Sequence, residues 1–193
     1  DEVNQVYKRR DEDGDWDIVI ASRGSASAAD FLGSDPQILA GVEETAHYRR
    51  LENVYDRAVE KFGDARYRTM GHSLAGHSAA TLVANHPEME SAIVFNPGAS
   101  PSNQHFLNRV FGDTRVTTVI TEGDGVSAAV VPHAADLHVV SGQGVTHMLN
   151  NHLMTNFEVS PEAQELHGKL AAIGYDPAPI LHEMEDLTPQ EIA

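Results

Sequence analysis

The stretch YRTMGHSLAGHSAATLVAN, residues 67–85, decides the fold. Its first four residues, Tyr67–Met70, are typical of a short buried strand, and its alanine-rich second half, Leu74–Asn85, is typical of a helix. Between them, Gly71-His72-Ser73 forms a predicted sharp turn with the serine at its apex. The pattern therefore predicts a strand that passes directly into a helix.

Short apolar segments on both sides of this unit predict further strands, namely Ile18–Ala21, Ala92–Phe95, Val116–Ile120 and Leu137–Val140. Helices are predicted between and after them, at Val42–Phe62, His105–Phe111 and Pro161–Ile173, whereas Met148–Phe157 is compatible with either helix or loop. Continuous apolar strands that alternate with helices are typical of a mostly parallel sheet covered on both faces. The sequence thus predicts an α/β fold with a central sheet and helices on both of its faces.

The length of the chain suits one domain. Its 193 residues, 20.9 kDa in mass, are predicted to form a single domain over 1–175 and an acidic, proline-containing tail or extension over 176–193. The first residue is Asp1, so removal of an N-terminal segment is left open, and a soluble, secreted or virion-associated location is equally open. The oligomeric state is not predicted.

The net charge of −16 comes from 29 acidic and 13 basic side chains. Such a surface repels phosphate backbones and anionic lipids, so we expect no nucleic-acid partner. No apolar run reaches the ~20 residues that a membrane-spanning helix needs. The absence of cysteine excludes thiolate nucleophiles and cysteine-based zinc sites. Two origins of the acidic surface stay open, adaptation to high salt and a simple solubilising role.

A serine at the apex of a strand–turn–helix unit is the arrangement called the nucleophile elbow. The residues two before and two after the serine must be small, because strand and helix approach closely there; here they are Gly71 and Ala75. The serine then lies at the N-terminus of the helix, where backbone N–H groups and the helix dipole stabilise an oxyanion. Ser73 is therefore the predicted nucleophile, and the Leu74 amide is a predicted oxyanion donor.

Several segments in chain order resemble the class 3 lipases, a lipase-like family of α/β-hydrolases. Ile18–Ser25 followed by Asp30-Phe31-Leu32 resembles a strand that ends in Arg-Gly-Thr with Asp-Trp-Leu after it, and Gly71–Ala79 is similar to the GHSLGG elbow. Gly123-Asp124 and Thr146–Leu149 resemble the segments that deliver the acid and the base. The resemblance spans about residues 17–157, and this chain has Ala75 for a glycine and Ser25 for a threonine.

The resemblance implies a Ser-His-Asp triad of Ser73, Asp124 and His147, with the backbone amide of Ser25 as second oxyanion donor. It implies cleavage of carboxylic esters without a cofactor or metal, on a small-molecule or lipid ester. Alternatives stay open, with Asp113 or Asp136 as the acid and His152, His133 or His138 as the base. Of these, His152 is the second choice for the base.

Other functions compete with ester hydrolysis. The chain has no glycine-rich phosphate loop, no His-Glu-x-x-His helix and no EF-hand loop. No sequence motif therefore supports phosphate-loop or metal chemistry. The main alternative is a catalytically weak or inactive structural or interaction protein with a hydrolase fold, for example a virion or surface component. Acyl transfer to an acceptor other than water would use the same triad. The small, aromatic-poor chain predicts a minimal hydrolase without a substantial lid, acting on short esters.

Overall fold

Strands and helices alternate along most of the chain in this computed structural model, which describes residues 4–10, 13–24, 40–142, 151–152 and 185–186. The strands are β1 (Asn4–Arg10), β2 (Trp16–Ser22), β3 (Arg66–His72), β4 (Ser91–Phe95), β5 (Val116–Thr121), β6 (Asp136–Val140) and β7 (Glu185–Asp186). The helices within these ranges are α1 (Ala46–Phe62), α2 (Leu74–Asn85) and α3 (Gln104–Phe111).

The strands of the described residues form one mixed sheet in the order β6-β5-β4-β3-β2-β1-β7. The five strands from β2 to β6 run parallel to one another, whereas β1 pairs antiparallel with both β2 and β7. The predicted α/β character is therefore confirmed, and each of the five predicted strands is present. The carboxyl ends of β3, β4 and β5 lie side by side at one edge of the sheet, which is where an α/β sheet offers a site.

Strand β1 was not predicted, because its sequence NQVYKRR holds only two large apolar residues among polar and charged ones. Pairing in register with β2 over seven residues, from Asn4 with Ser22 to Arg10 with Trp16, determines its conformation. Strand β7 adds two residues of the segment predicted as a tail to the far side of β1.

Helix α2 is buried from Leu74 to Val83 because its small residues, alanine and glycine, allow close packing against the sheet. Helix α1 buries one face, including Tyr48, Leu51 and Tyr55. It begins at Ala46 and not at the predicted Val42, since the Thr45 side chain caps it by accepting a hydrogen bond from the Tyr48 amide at 3.1 Å.

Two predicted segments fall largely outside the described residues. The helix predicted over Pro161–Ile173 lies wholly outside them, and of Met148–Phe157 only Asn151 and His152 are described. Within the described ranges, no helix combines the length and the apolar character that crossing a membrane requires.

Candidate active site

Ser73 occupies the turn between β3 and α2 with φ 59° and ψ −121°, in the left-handed half of conformational space. Backbone hydrogen bonds hold it there: its amide donates to the Phe95 carbonyl at 2.9 Å, and its carbonyl accepts from the Gly98 amide at 3.2 Å. A non-glycine residue at such a φ is uncommon and costs on the order of 1–3 kcal/mol. The turn is therefore held in a strained conformation by the end of the neighbouring strand β4.

Small residues around the serine are required by close backbone approaches. A Cβ atom on Gly71 would overlap the carbonyl oxygen of Ala75 and lie 2.5 Å from its carbonyl carbon. A Cβ on Gly24 would overlap the carbonyl oxygen of His72 and lie 3.3 Å from Ser73 Cβ. The chain leaving β2 therefore passes directly beside the serine, and glycine is needed at both positions.

The imidazole of His152 contacts both Ser73 and Asp124. Its Nε2 atom lies 2.8 Å from Ser73 Oγ, and its Nδ1 atom lies 3.1 Å from Asp124 Oδ2 and 3.2 Å from Oδ1. All three residues are buried, with 2% of Ser73, 6% of Asp124 and 1% of His152 exposed. The three side chains therefore form one continuous hydrogen-bonded chain that is shielded from water.

The partners of His152 determine where its proton lies. A carboxylate only accepts hydrogen bonds, so Nδ1 carries the proton and donates it to Asp124. Nε2 is then the lone-pair nitrogen and accepts the Ser73 hydroxyl at 2.8 Å. This tautomer is the one that a general base acting on a serine requires.

Asp124 lies three residues beyond the end of β5, and its carboxylate receives two further donors. The Val126 amide donates to Oδ1 at 3.0 Å, and the Ser127 hydroxyl donates to Oδ2 at 2.6 Å. The Asp124 amide donates back to the Thr121 carbonyl at 3.0 Å. The Asp124 carboxylate is thus fixed in orientation by its own turn.

His72, the residue before the serine, contacts the backbone of His152. Its Nε2 atom lies 2.6 Å from the His152 carbonyl oxygen, and the two ring centroids are 5.0 Å apart. Burial, together with the nearby His152 imidazole, lowers the pKa of His72 from its usual 6.5 to about 4. The ring is therefore neutral at neutral pH, with its proton on Nε2, because a carbonyl only accepts.

The structure brings some of the predicted site residues together, whereas others lie outside the described residues. The structure brings Ser73 and Asp124 to the same imidazole, and that imidazole belongs to His152, the second choice for the base. His147 and Ser25 lie outside the described residues. Leu74 is the first residue of α2, so its N–H has no acceptor within the helix.

The competing residues make other contacts. Asp113 binds Arg115 at 2.7 Å, which holds the pKa of that carboxyl below its usual value against the opposing effect of burial. Asp136 contacts His138 at 3.1 Å, and His133 contacts the Asn108 side chain at 2.7 Å.

Sequence reasoning missed Ser127 and Asn96. After β5, the sequence Asp124-Gly-Val-Ser127 suits a turn in which the aspartate side chain accepts from the Val126 amide, and Ser127 is the next residue in that turn, so a local signal for it existed. Asn96 had none, because its partners are Thr121 and Asn151, which are 25 and 55 residues away. Within the described ranges, no group of three or more histidine, aspartate or glutamate residues is arranged to hold a metal ion.

Comparison with known proteins gives remote structural likenesses. No protein-family model matches the chain, and no curated protein matches it. The structure is similar to Lip2 lipase from Yarrowia lipolytica, with a TM-score of 0.47 and 17% identity over 74% of this chain and 64% of that chain. It is also similar to wild-type AbyA5, with a TM-score of 0.46 and 13% identity over 94% of this chain and 71% of that one. This chain thus spans less than two thirds of the length of the Lip2 lipase structure.

Proposed function

We propose that this chain is a serine hydrolase that cleaves carboxylic esters through an acyl-enzyme intermediate. The observation that carries the proposal is the His152 imidazole, which bonds to the Ser73 hydroxyl at 2.8 Å and to the Asp124 carboxylate at 3.1 Å. Ser73 is the nucleophile, His152 the general base and Asp124 the orienting acid. The base is thus assigned to His152 in place of His147, which the sequence resemblance favoured.

The reaction has two halves that use the same groups. Ser73 Oγ attacks the ester carbonyl carbon while His152 Nε2 takes the hydroxyl proton, and the departing alcohol receives that proton as its bond to the acyl carbon breaks. A water molecule then gives a proton to Nε2 and attacks the acyl carbon. Ser73 Oγ regains the proton and the carboxylic acid leaves. Asp124 stabilises the imidazolium that forms in each half.

The oxyanion is assigned to two backbone donors, the amides of Leu74 and Ser25. The Leu74 amide lies in the first turn of α2, where the helix dipole favours negative charge. For Ser25 the support is indirect: Gly24, its neighbour in the chain, packs against His72 and Ser73. Loss of one such donor costs about 10²–10³-fold in rate.

Esters with short acyl chains are the proposed substrates. Aromatic residues make up 6% of the chain, so little aromatic surface is available to bind a long acyl group. Membership of the class 3 lipases is part of the same proposal and rests on the sequence segments that resemble that family.

The test is active-site labelling with a fluorophosphonate probe, followed by assays on nitrophenyl acetate, butyrate and palmitate. We expect labelling of the wild type and of Ser78→Ala, and none of Ser73→Ala; Ser78 is a suitable control because it is a buried serine in α2, the helix that follows Ser73. Hydrolysis should be faster for acetate and butyrate than for palmitate. A wild type that is neither labelled at Ser73 nor active above the Ser73→Ala background would reject the enzyme and favour the structural or interaction protein.

A further inference from the structure

We propose that His72 and Asn96 are positioning residues that clamp the backbone of the base-bearing segment, Asn151–His152. His72 Nε2 donates to the carbonyl oxygen of His152 at 2.6 Å, and Asn96 Nδ2 donates to the carbonyl oxygen of Asn151 at 3.0 Å. Two consecutive peptide carbonyls are thus bound by side chains from the ends of the neighbouring strands β3 and β4. The inference rests on the proposed function, because it concerns the same base.

His72 directly precedes the nucleophile in the chain, and its ring contacts the backbone of the base, His152. It is the last residue of β3 and directly precedes Ser73, so its backbone and the serine backbone share one peptide unit. The dipeptide therefore contacts His152 at two points, through Ser73 Oγ on the imidazole and through the His72 ring on the carbonyl. A shift of the His152 backbone would therefore disturb the His72 contact as well as the Ser73 contact.

Asn96 links the base to the turn that carries the acid. It is fully buried, with φ 41°, and its backbone N–H donates to the Val119 carbonyl at 2.8 Å. Its side-chain oxygen accepts from the Thr121 amide at 2.8 Å, while its side-chain nitrogen donates to Asn151. Since the Thr121 carbonyl accepts from the Asp124 amide, one side chain connects the acid and the base through the end of β5.

Both contacts act where catalysis is sensitive to small displacements. A reacting group must be held within about 0.5 Å of its productive position, and a misplacement of 1 Å can cost about 10²-fold in rate. Binding the carbonyls on both sides of the His152 Cα fixes the orientation of the two peptide planes from which the side chain projects. The clamp therefore determines the distance between the imidazole and Ser73 Oγ.

The charge state of His72 suits this role. Because burial keeps the pKa of His72 at about 4, the ring is neutral at neutral pH. A neutral ring 5.0 Å from His152 adds no repulsion when the base becomes an imidazolium during the reaction. A lysine or arginine donor at position 72 would oppose that charge.

The test compares four variants of the full chain. His72→Phe removes the donor and keeps a ring, and His72→Gln replaces the ring with an amide donor of similar reach. Asn96→Asp keeps the shape and the acceptor for Thr121 but replaces the donor to Asn151. The matched control is Thr69→Val. It removes a buried hydroxyl in β3, the strand that also carries His72, and this hydroxyl donates a hydrogen bond of 3.0 Å to the Ile20 carbonyl.

On nitrophenyl butyrate, His72→Phe and Asn96→Asp should lower kcat about 10–100-fold with KM changed less than about twofold, and His72→Gln should recover most of the loss. Thr69→Val should lose stability but keep kcat. Unchanged kcat in both His72→Phe and Asn96→Asp would overturn the clamp. The clamp would also be overturned if the activity of all four variants fell only in proportion to the fraction of protein that is folded.

A second readout does not depend on turnover. In ¹⁵N-histidine-labelled protein, the resonance of the proton on His152 Nδ1 reports the bond to Asp124, and it should shift or broaden in His72→Phe and Asn96→Asp but not in Thr69→Val. An inactive wild type with this response would reject the hydrolase and keep the clamp. An active wild type whose resonance is the same in all variants would keep the hydrolase and reject the clamp.

Discussion

The hydroxyl of Ser127 donates to Oδ2 of Asp124 at 2.6 Å, and both residues are buried. Together with the Val126 amide and His152 Nδ1, it brings three donors to one carboxylate. A buried carboxylate whose oxygens are all engaged has one preferred orientation, and this orientation is passed on to the imidazole.

Ser127→Ala should lower kcat by about tenfold, because one donor to the buried Asp124 carboxylate is lost and the carboxylate can rotate away from His152. KM should change little. Steady-state assays on nitrophenyl butyrate measure the effect. Ser102→Ala, at an exposed serine, is the control and should match the wild type. Equal activity of Ser127→Ala and Ser102→Ala would contradict the role of Ser127.

The two candidate bases can be separated by matched substitutions. His152→Gln should reduce kcat by about 10⁴-fold or more, since Ser73 loses the group that takes its proton. His147→Gln should retain activity within a few-fold of the wild type. The reverse order of the two variants would return the role of base to His147.

The free energy of unfolding should fall as the pH is lowered from about 6.5 to about 4. The cause is His72, whose pKa is lowered to about 4 by burial and by His152: the unfolded chain binds a proton there below pH 6.5, whereas the folded chain does not bind it until about pH 4. The contribution is on the order of 3 kcal/mol. Urea titrations at several pH values should therefore show a smaller loss in His72→Gln than in the wild type. Parallel pH dependences in the two proteins would exclude this effect.

Gly71→Ala should destabilise the fold by about 1–3 kcal/mol, because the new Cβ overlaps the Ala75 carbonyl and the turn must open. Ser73 should lose fluorophosphonate reactivity at the same time. The reciprocal variant Ala75→Gly adds no atom and should stay reactive. A Gly71→Ala protein with wild-type stability, measured by urea unfolding, would show that strand and helix are not in contact there.

Substitution of Asp17 should lower the free energy of unfolding without changing kcat. This fully buried carboxylate binds Arg9 at 2.9 Å and lies 3.6 Å from Arg68, at the end of the sheet opposite the site. Asp17→Asn should destabilise by about 3 kcal/mol, because it removes a fully buried carboxylate that is paired with Arg9 and with the buried Arg68 side chain. Glu90→Gln, which removes the half-exposed partner of Arg68, should cost less than about 1 kcal/mol. In both variants, kcat should be unchanged at temperatures where the protein is folded.

Local sequence patterns predicted the parts of the molecule that depend on local physics. The strand-to-helix turn at Ser73 could be identified because its small residues, apex serine and flanking periodicities lie within one stretch. The central strands could be identified because burial on both faces leaves continuous apolar runs. Strand β1 could not, because its polar sequence becomes a strand only through pairing with β2.

The sequence could not predict which histidine contacts Ser73, since His147 and His152 are five residues apart in one segment and no local property distinguishes them. The contacts that distinguish His152 come from His72 and Asn96, which are 80 positions from His152 and 55 from Asn151 respectively. The tail or extension over 176–193, the salt-adapted or solubilising origin of the acidic surface, and the Ser25 donor all stay predictions.

The backbone conformation of Ser73 sets stability against reactivity at a single position. A serine with φ 59° costs the fold on the order of 1–3 kcal/mol that a glycine would not. Ser73→Gly should therefore raise resistance to unfolding while it abolishes the nucleophile. In a protein without turnover, this loss of stability would serve no purpose, and one substitution would remove it. In a hydrolase, the same loss of stability is what it costs to present the serine oxygen to the substrate.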